Sequence, residues 1–268
     1  DVEIVIITTT GDRVQDRRLE AVGGKGAFLK EIEEALLARE VDLAVHSLKD
    51  VPTALPEGLH LTAMLERADA RDVLLSGGAT LRTLPAGARV GTTSLRRRAQ
   101  VLSLRPDLVL QDLRGNVDTR IRRLREGVFD AILLARAGLV RLGREGEATE
   151  VLDPDVILPA PGQGAIALEC RVDDRDTAEA AAPLHHEETA LAVIAERAFL
   201  AALQGGCNVP LGAYAVASPD GFRLRGLVAR EDGSSVLRGE RSGADPRALG
   251  ESLAQELLAR GAGELLQP

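Results

Sequence analysis

Lys49 and Asp50 stand side by side directly after the apolar run Leu43-Ala44-Val45-His46-Ser47-Leu48, and Val51-Pro52 follows them. Such a run reads as a buried strand, and Pro52, which has no backbone donor, keeps it from continuing. In open α/β sheets ligands bind beyond the carboxyl ends of the strands, so a cation and a carboxylate delivered there form a candidate acid/base pair. A solvated ion pair in a turn is the competing reading of the same two residues.

The second chemical signal is arginine. All but Lys25, Lys30 and Lys49 of the 33 basic residues are arginine, in a chain whose formal net charge is −8. Between Arg89 and Arg125 there are ten arginines against three aspartates. A basic block in an acidic protein predicts a focused anion site. Arg96 and Arg97 fall in the first turn of a predicted helix that Ser94 would cap, Arg114 ends a predicted strand, and Arg120 lies one turn into a helix that Asn116 would cap. Helix N-termini offer free N–H groups, and a guanidinium adds a forked pair of donors, so carboxylate or phosphate ligands suit these turns. Arg98, Arg105, Arg122, Arg123 and Arg125 sit deeper in the helices and read as a solvated face.

Several elements must position these groups. Residues 2–9 form a β-branched run that predicts a buried strand, and a strand starting so early suggests that residues are missing before Asp1. Gly11 to Gly26 reads as a lid-like loop; its Gly23-Gly24-Lys25-Gly26 lacks the flanking strand and the hydroxyl residue of a phosphate loop. Phe28, Ile32, Ala35, Leu36 and Arg39 mark an amphipathic helix, and Leu59–Leu65 a further strand. Strand-turn-helix units then recur at 89–103, 108–125 and 131–141, the last carrying Arg141, which predicts a parallel sheet. Leu158–Gly164 has the composition of a crossover, and 165–170 is a new strand ending in Cys170, a small buried hydrophobe. Beyond a helix over 188–203, strands at 209–217, 222–229 and 235–241 and a helix over 246–260 predict a small antiparallel α+β unit. Cys207, on the Gly205-Gly206 loop, is either a structural cysteine or an exposed nucleophile or attachment point.

Composition excludes several classes. Hydrophobic residues make up 45% and charged residues 28%, as in a globular protein with a core. No apolar run approaches a bilayer span and the first residues lack a basic signal-peptide end, so a cytosolic protein is the default. Four Phe, one Tyr and no Trp leave few stacking platforms for single-stranded nucleic acid. Two cysteines form neither a disulfide framework nor a metal-ligand pattern, and His185-His186 reads as a surface pair, so no metal is expected.

Taken together, Val45–Pro52, Ser94–Arg97, Leu113–Val117 with Thr119-Arg120, Gly205-Gly206-Cys207, Val22–Gly26, Leu158–Gly164 and Ala195–Phe199 resemble the porphobilinogen deaminase family, along the whole chain and in family order. The resemblance implies an α/β protein: two periplasmic-binding-protein-like α/β domains around a cleft plus a small α+β C-terminal domain. The expected boundaries are 1–65 with 165–182, 70–159, and 187–268. It implies a cytoplasmic, monomeric transferase that condenses four porphobilinogen units, with loss of ammonia, onto a dipyrromethane cofactor joined by a thioether to Cys207, and then hydrolyses off the linear tetrapyrrole. Asp50 would be the catalytic carboxylate, stabilising the cation left by ammonia loss and moving protons. Arg96, Arg97, Arg114, Arg120 and Arg141 would bind pyrrole carboxylates, assisted by Ser47, Lys49, Thr92, Ser94 and Asn116. The resemblance also implies an N-terminal strand and helix ahead of Asp1, and a small residue where Arg136 stands, which here either adds charge or points away. A carboxylate-binding protein of the same two-lobed architecture would keep the arginines without needing Asp50 or Cys207.

Overall fold

In a computed structural model of the chain, residues 2–7, 29–203 and 209–266 are described. The chain forms two compact units, Asp1–Arg67 with Ala165–Ala190, and Ala68–Gly164 with Leu191–Pro268.

In the first unit, helix α1 (Lys30–Leu37) leads into strand β1 (Ala44–Ser47), a 3₁₀ turn at Leu48–Asp50, and strand β2 (Leu59–Met64). Strand β8 (Ile166–Arg171) returns much later and lies between them, antiparallel to both. Leu36 of α1 packs on Ala44 and Leu59, and helix α5 (Arg175–Ala181) places Ala181 on Ala63 and Leu168 of the other face. The strand expected over 2–9 does not form at 2–7: Val2, Ile4 and Ile6 are exposed and carry no ladder. β-Branched composition favours extended backbone, but a strand also needs a partner for its N–H and C=O groups.

The second unit contains two sheets. Strands β3 (Asp72–Ser76), β4 (Arg89–Gly91), β5 (Val109–Gln111), β6 (Ala131–Ala135) and β7 (Glu150–Val151) lie in the order β5-β4-β6-β3-β7. Helices α2 (Leu95–Leu104), α3 (Val117–Arg125) and α4 (Arg136–Arg141) follow β4, β5 and β6. The predicted parallel core is present in β5-β4-β6, but β3 and β7 add antiparallel pairings, so the sheet is mixed. β3 sits beside β6 because its apolar residues alternate onto both covered faces: Leu74 joins Val90, Leu133 and Val101 of α2, while Val73 and Leu75 join Ile121 of α3 and Leu139 of α4.

The other sheet consists of β9 (Leu211–Ser218), β10 (Gly221–Ala229) and β11 (Val236–Gly243), all antiparallel. Helices α6 (Glu187–Ala202) and α7 (Pro246–Ala259) cover one face, with Phe199, Leu224 and Leu253 fully buried between them. Truncating such a phenylalanine costs about 3–5 kcal/mol. On the other face Leu227 and Ala229 meet Ala99 of α2. The β10–β11 turn approaches α2 so closely that a Cβ at Gly233, whose φ is +73°, would lie 2.5 Å from Ser103 N. Glycine is required there on both counts. Buried Glu196 of α6 accepts from Gly162 N at 2.6 Å and from Ala215 N at 2.8 Å, tying the 158–164 crossover to β9. Among the described residues no helix is long and apolar enough to cross a membrane.

Candidate active site

Asp50 owes its place to the end of β1. Ala44, His46 and Leu48 turn inward while Val45 and Ser47 face outward, so the strand is covered on one side rather than on both as its composition suggested. Leu48 N donates to Ala165 O and Val51 N closes the 3₁₀ turn on Leu48 O, both at 3.1 Å. Lys49 and Asp50 are half-buried on that turn, and both have interaction partners. Beneath the strand His46 Nε2 lies 2.8 Å from Glu169 Oε2, both side chains buried. Burial, and then the neighbouring Glu169, push the Glu33 carboxyl of α1 up.

The arginines are positioned by a different device. Because β5, β4 and β6 run parallel, their carboxyl ends open on one edge and each feeds the N-terminus of a helix. Ser94 caps α2 by accepting from Arg97 N at 3.4 Å, and buried Thr92 in turn accepts from Ser94 N at 3.1 Å. Asn116 caps α3 by accepting from Thr119 N at 2.9 Å. Gly115 between strand and helix has φ +106°, and a Cβ there would lie 2.8 Å from Thr119, so this turn accepts no side chain. Arg120 Nε donates to Gly115 O at 2.7 Å, with half-buried Arg114 in the same turn. Arg141 Nη2 donates to Gly164 O at 2.7 Å, and burial lowers its pKa.

Asp72 belongs to this edge and was not singled out from sequence. β3 is antiparallel to β6 and pairs Asp72 with Ala135, so the first residue of β3 meets the last of β6. The buried carboxylate accepts from Arg96 Nη1 at 2.6 Å, from Arg97 Nη2 at 2.7 Å and Nε at 3.0 Å, and from Gln163 Nε2 at 2.9 Å. Arg96 and Arg97 thus hold a carboxylate of the chain's own at this edge. Guanidinium groups only 4% and 7% exposed require a fixed counter-charge. Burial alone would raise the Asp72 pKa, but the two guanidinium groups outweigh it and hold the carboxyl well below the usual carboxylate range. Arg96 Nε is buried without a hydrogen-bond partner among the described residues.

Asp69 is a second carboxylate shared by two arginines, Arg71 and Arg136. Arg136 therefore takes part in the charged edge. Of the arginines assigned to a solvated face, Arg105 departs most: it donates to Leu81 O, Arg82 O and Leu84 O as well as Asp107, fastening the loop before β4. Cys170 is buried as expected, with Sγ 3.3 Å from His60 Nε2, and burial pushes its thiol pKa up. His186 Nδ1 accepts from Thr189 N at 3.2 Å at the start of α6. Among the described residues no group of three or more His, Cys, Asp or Glu could hold a metal ion. Cys207, Lys25 and the Gly11–Gly26 lid lie outside the described residues.

Residues 1–179 match the family described as porphobilinogen deaminase, dipyromethane cofactor binding domain, and residues 190–259 match porphobilinogen deaminase, C-terminal domain. A porphobilinogen deaminase of Brevibacillus brevis is 53% identical over 268 residues, covering 99% of this chain and 87% of the relative. One of Shouchella clausii is 55% identical over 268 residues, covering 99% and 86%. Among solved structures, the periplasmic VFT2 domain of Bordetella pertussis BvgS is similar at 17% identity over 60% of this chain and 70% of its own, with a TM-score of 0.34. Two family matches in tandem and relatives above half identity over nearly the full length agree, and this chain belongs to the porphobilinogen deaminase family.

Proposed function

We propose that the chain is a transferase that joins four porphobilinogen units, each losing ammonia, onto a dipyrromethane primer carried by Cys207, and then hydrolyses off the linear tetrapyrrole. The family match carries this reading, and the arginine edge of the second unit supports it chemically. Each pyrrole bears an acetate and a propionate, so primer and growing chain form a polyanion. Arg96, Arg97, Arg114, Arg120 and Arg141 are its binders in this reading, with Ser47, Lys49, Thr92, Ser94 and Asn116 assisting through hydroxyl, ammonium and amide groups. The donor set fits a polycarboxylate, and buried Arg96 Nε, which has no hydrogen-bond partner among the described residues, is one donor such a group would satisfy. Each charged hydrogen bond contributes about 1.5–3 kcal/mol. When bound, the dipyrromethane supplies the pyrrole terminus from which the chain grows.

Asp50 is the carboxylate that stabilises the positive charge left on the pyrrole by ammonia loss and moves protons during condensation. Arg96 and Arg97 keep Asp72 ionised and so hold the start of β3 against the carboxyl end of β6. The reading also takes 1–65 with 165–182, 70–159 and 187–268 as three domains, and the protein as cytoplasmic and monomeric; light scattering on the purified chain checks the last.

Two measurements test the reaction. Intact mass with peptide mapping should show two linked pyrroles on the Cys207 peptide; an unmodified peptide that porphobilinogen cannot load would favour a carboxylate-binding protein instead. Asp50→Asn should fold normally and lose about 10²–10⁴-fold in kcat, the usual worth of a general acid/base. Near-normal turnover would remove Asp50 from the chemistry.

A further inference from the structure

Arg136 is the first residue of α4, immediately after the carboxyl end of β6. Its Nη1 donates to Asp69 Oδ2 at 2.6 Å. The same carboxylate already accepts from Arg71, Nε to Oδ1 at 2.9 Å and Nη2 to Oδ2 at 2.6 Å. Arg71 thus provides the forked pair that neutralises Asp69, and Arg136 adds a second guanidinium to a single carboxylate. Two guanidinium groups thus share the one carboxylate they touch, and Asp153 acts on Arg71 only through space. The Arg96–Asp72–Arg97 cluster is buried, whereas this one meets solvent, with Arg71 39%, Asp69 25% and Arg136 34% exposed.

The backbone fixes where Arg136 stands. Arg136 N donates to Arg71 O at 3.0 Å, one step beyond the Asp72–Ala135 pair, which puts it on the edge that carries Arg114 and Arg120. Anchoring the 69–72 segment needs one guanidinium on Asp69, which Arg71 provides. A second, half in water and held by a short hydrogen bond, keeps its attraction for an anion and loses little orientational freedom when one binds.

We propose that Arg136, oriented by Asp69 and backed by Arg71, is a further binding residue for the carboxylate groups of the pyrrole substrate and growing chain. The assignment rests on the deaminase reading above. It adds a contact from the start of α4 to those at the α2 and α3 turns, and it makes the grip on the substrate more dependent on ionic strength.

The test uses the purified holoprotein with porphobilinogen as substrate, comparing wild type, R136Q, R136K and R71Q at low and moderate salt, with thermal unfolding recorded for each. R136Q should raise KM about tenfold, the worth of one charge-assisted hydrogen bond to a part-exposed group, and change kcat by less. The effect should shrink as salt is added, and R136K should recover part of it by keeping the charge without the fork. R71Q, which leaves Asp69 paired with Arg136 alone and so ties that guanidinium to it, should raise KM in the same direction. An unchanged KM in folded R136Q overturns the proposal; if R136Q does not fold, an unchanged KM in R71Q does so. A wild-type protein that does not consume porphobilinogen overturns the deaminase reading and this site with it, whereas an active wild type matched by R136Q overturns this site alone.

Discussion

Asp72 in the second unit and Glu33 in the first are both carboxylates drawn out of water, and their acidities move in opposite directions. Asp72 is the more deeply buried, yet two guanidinium groups and the Gln163 amide surround it. Glu33 is repelled by Glu169, which His46 offsets in part. Burial penalises both anions; the number and charge of fixed donors decide which of them stays ionised. The second unit is thus organised around stable negative charges that hold arginines, while the first carries two neighbouring carboxylates, Glu33 and Glu169, beside His46 under the strand leading to Asp50.

The contrast can be broken most directly at Asp72. Asp72→Ala strands two buried cations and should cost about 3–5 kcal/mol in denaturant unfolding. A loss below about 1 kcal/mol would mean that the guanidinium groups find water or other acceptors. The pH dependence sharpens the point. Because the folded pKa of Asp72 is depressed, its contribution is complete above the unfolded value of about 4 and fades only as pH falls towards the folded value. The gap between wild type and D72A should therefore stay constant from neutrality to about pH 4 and close below it.

Glu33 has the opposite sign. Its folded pKa is raised above 4.5, so the favourable contribution belongs to the protonated form, is present at low pH and is lost as pH rises through the folded value. Glu33→Gln should raise the melting temperature at neutral pH, with the gain vanishing on acidification; a fall at neutral pH would show that the charge is needed. The smallest effect is expected at the exposed relative of the Asp72 cluster. Asp69→Ala should change unfolding free energy by about 1 kcal/mol or less, because ion pairs open to solvent contribute little. A larger loss would make that cluster architectural as well.

Local features were the legible part of this protein. Helix α3 lies at Val117–Arg125, where the sequence places it, with Asn116 as its cap, and Ser94 caps α2. Both signals lie within a few residues of the element they define. Asp72 was not legible because the residues that explain it, Arg96 and Arg97, are brought to it by an antiparallel pairing between β3 and β6 that no local pattern encodes. Without β3 the arginines read as free for a ligand and the sheet reads as wholly parallel. Arg136 was visible as an oddity, but its partner Asp69 sits in a charged stretch that looks like a connection. Residues 2–7 show the reverse failure, a strong strand composition with no ladder to join.

The position of β8 also matters for how the chain is made. β1 and β2 are complete by Met64, yet the strand that belongs between them begins only at Ile166, after the whole β3–β7 sheet. At ordinary rates of synthesis the ribosome takes roughly 5–20 s to cover that interval. During it the two strands would lack β8 between them and Ala63 would lack its cover, Leu168 and Ala181, while β3–β7 and their helices are already fully synthesised. The segment carrying Asp50 is therefore made well before the strand that locks it in place, and until then its strand edges in the nascent chain are open to wrong pairings.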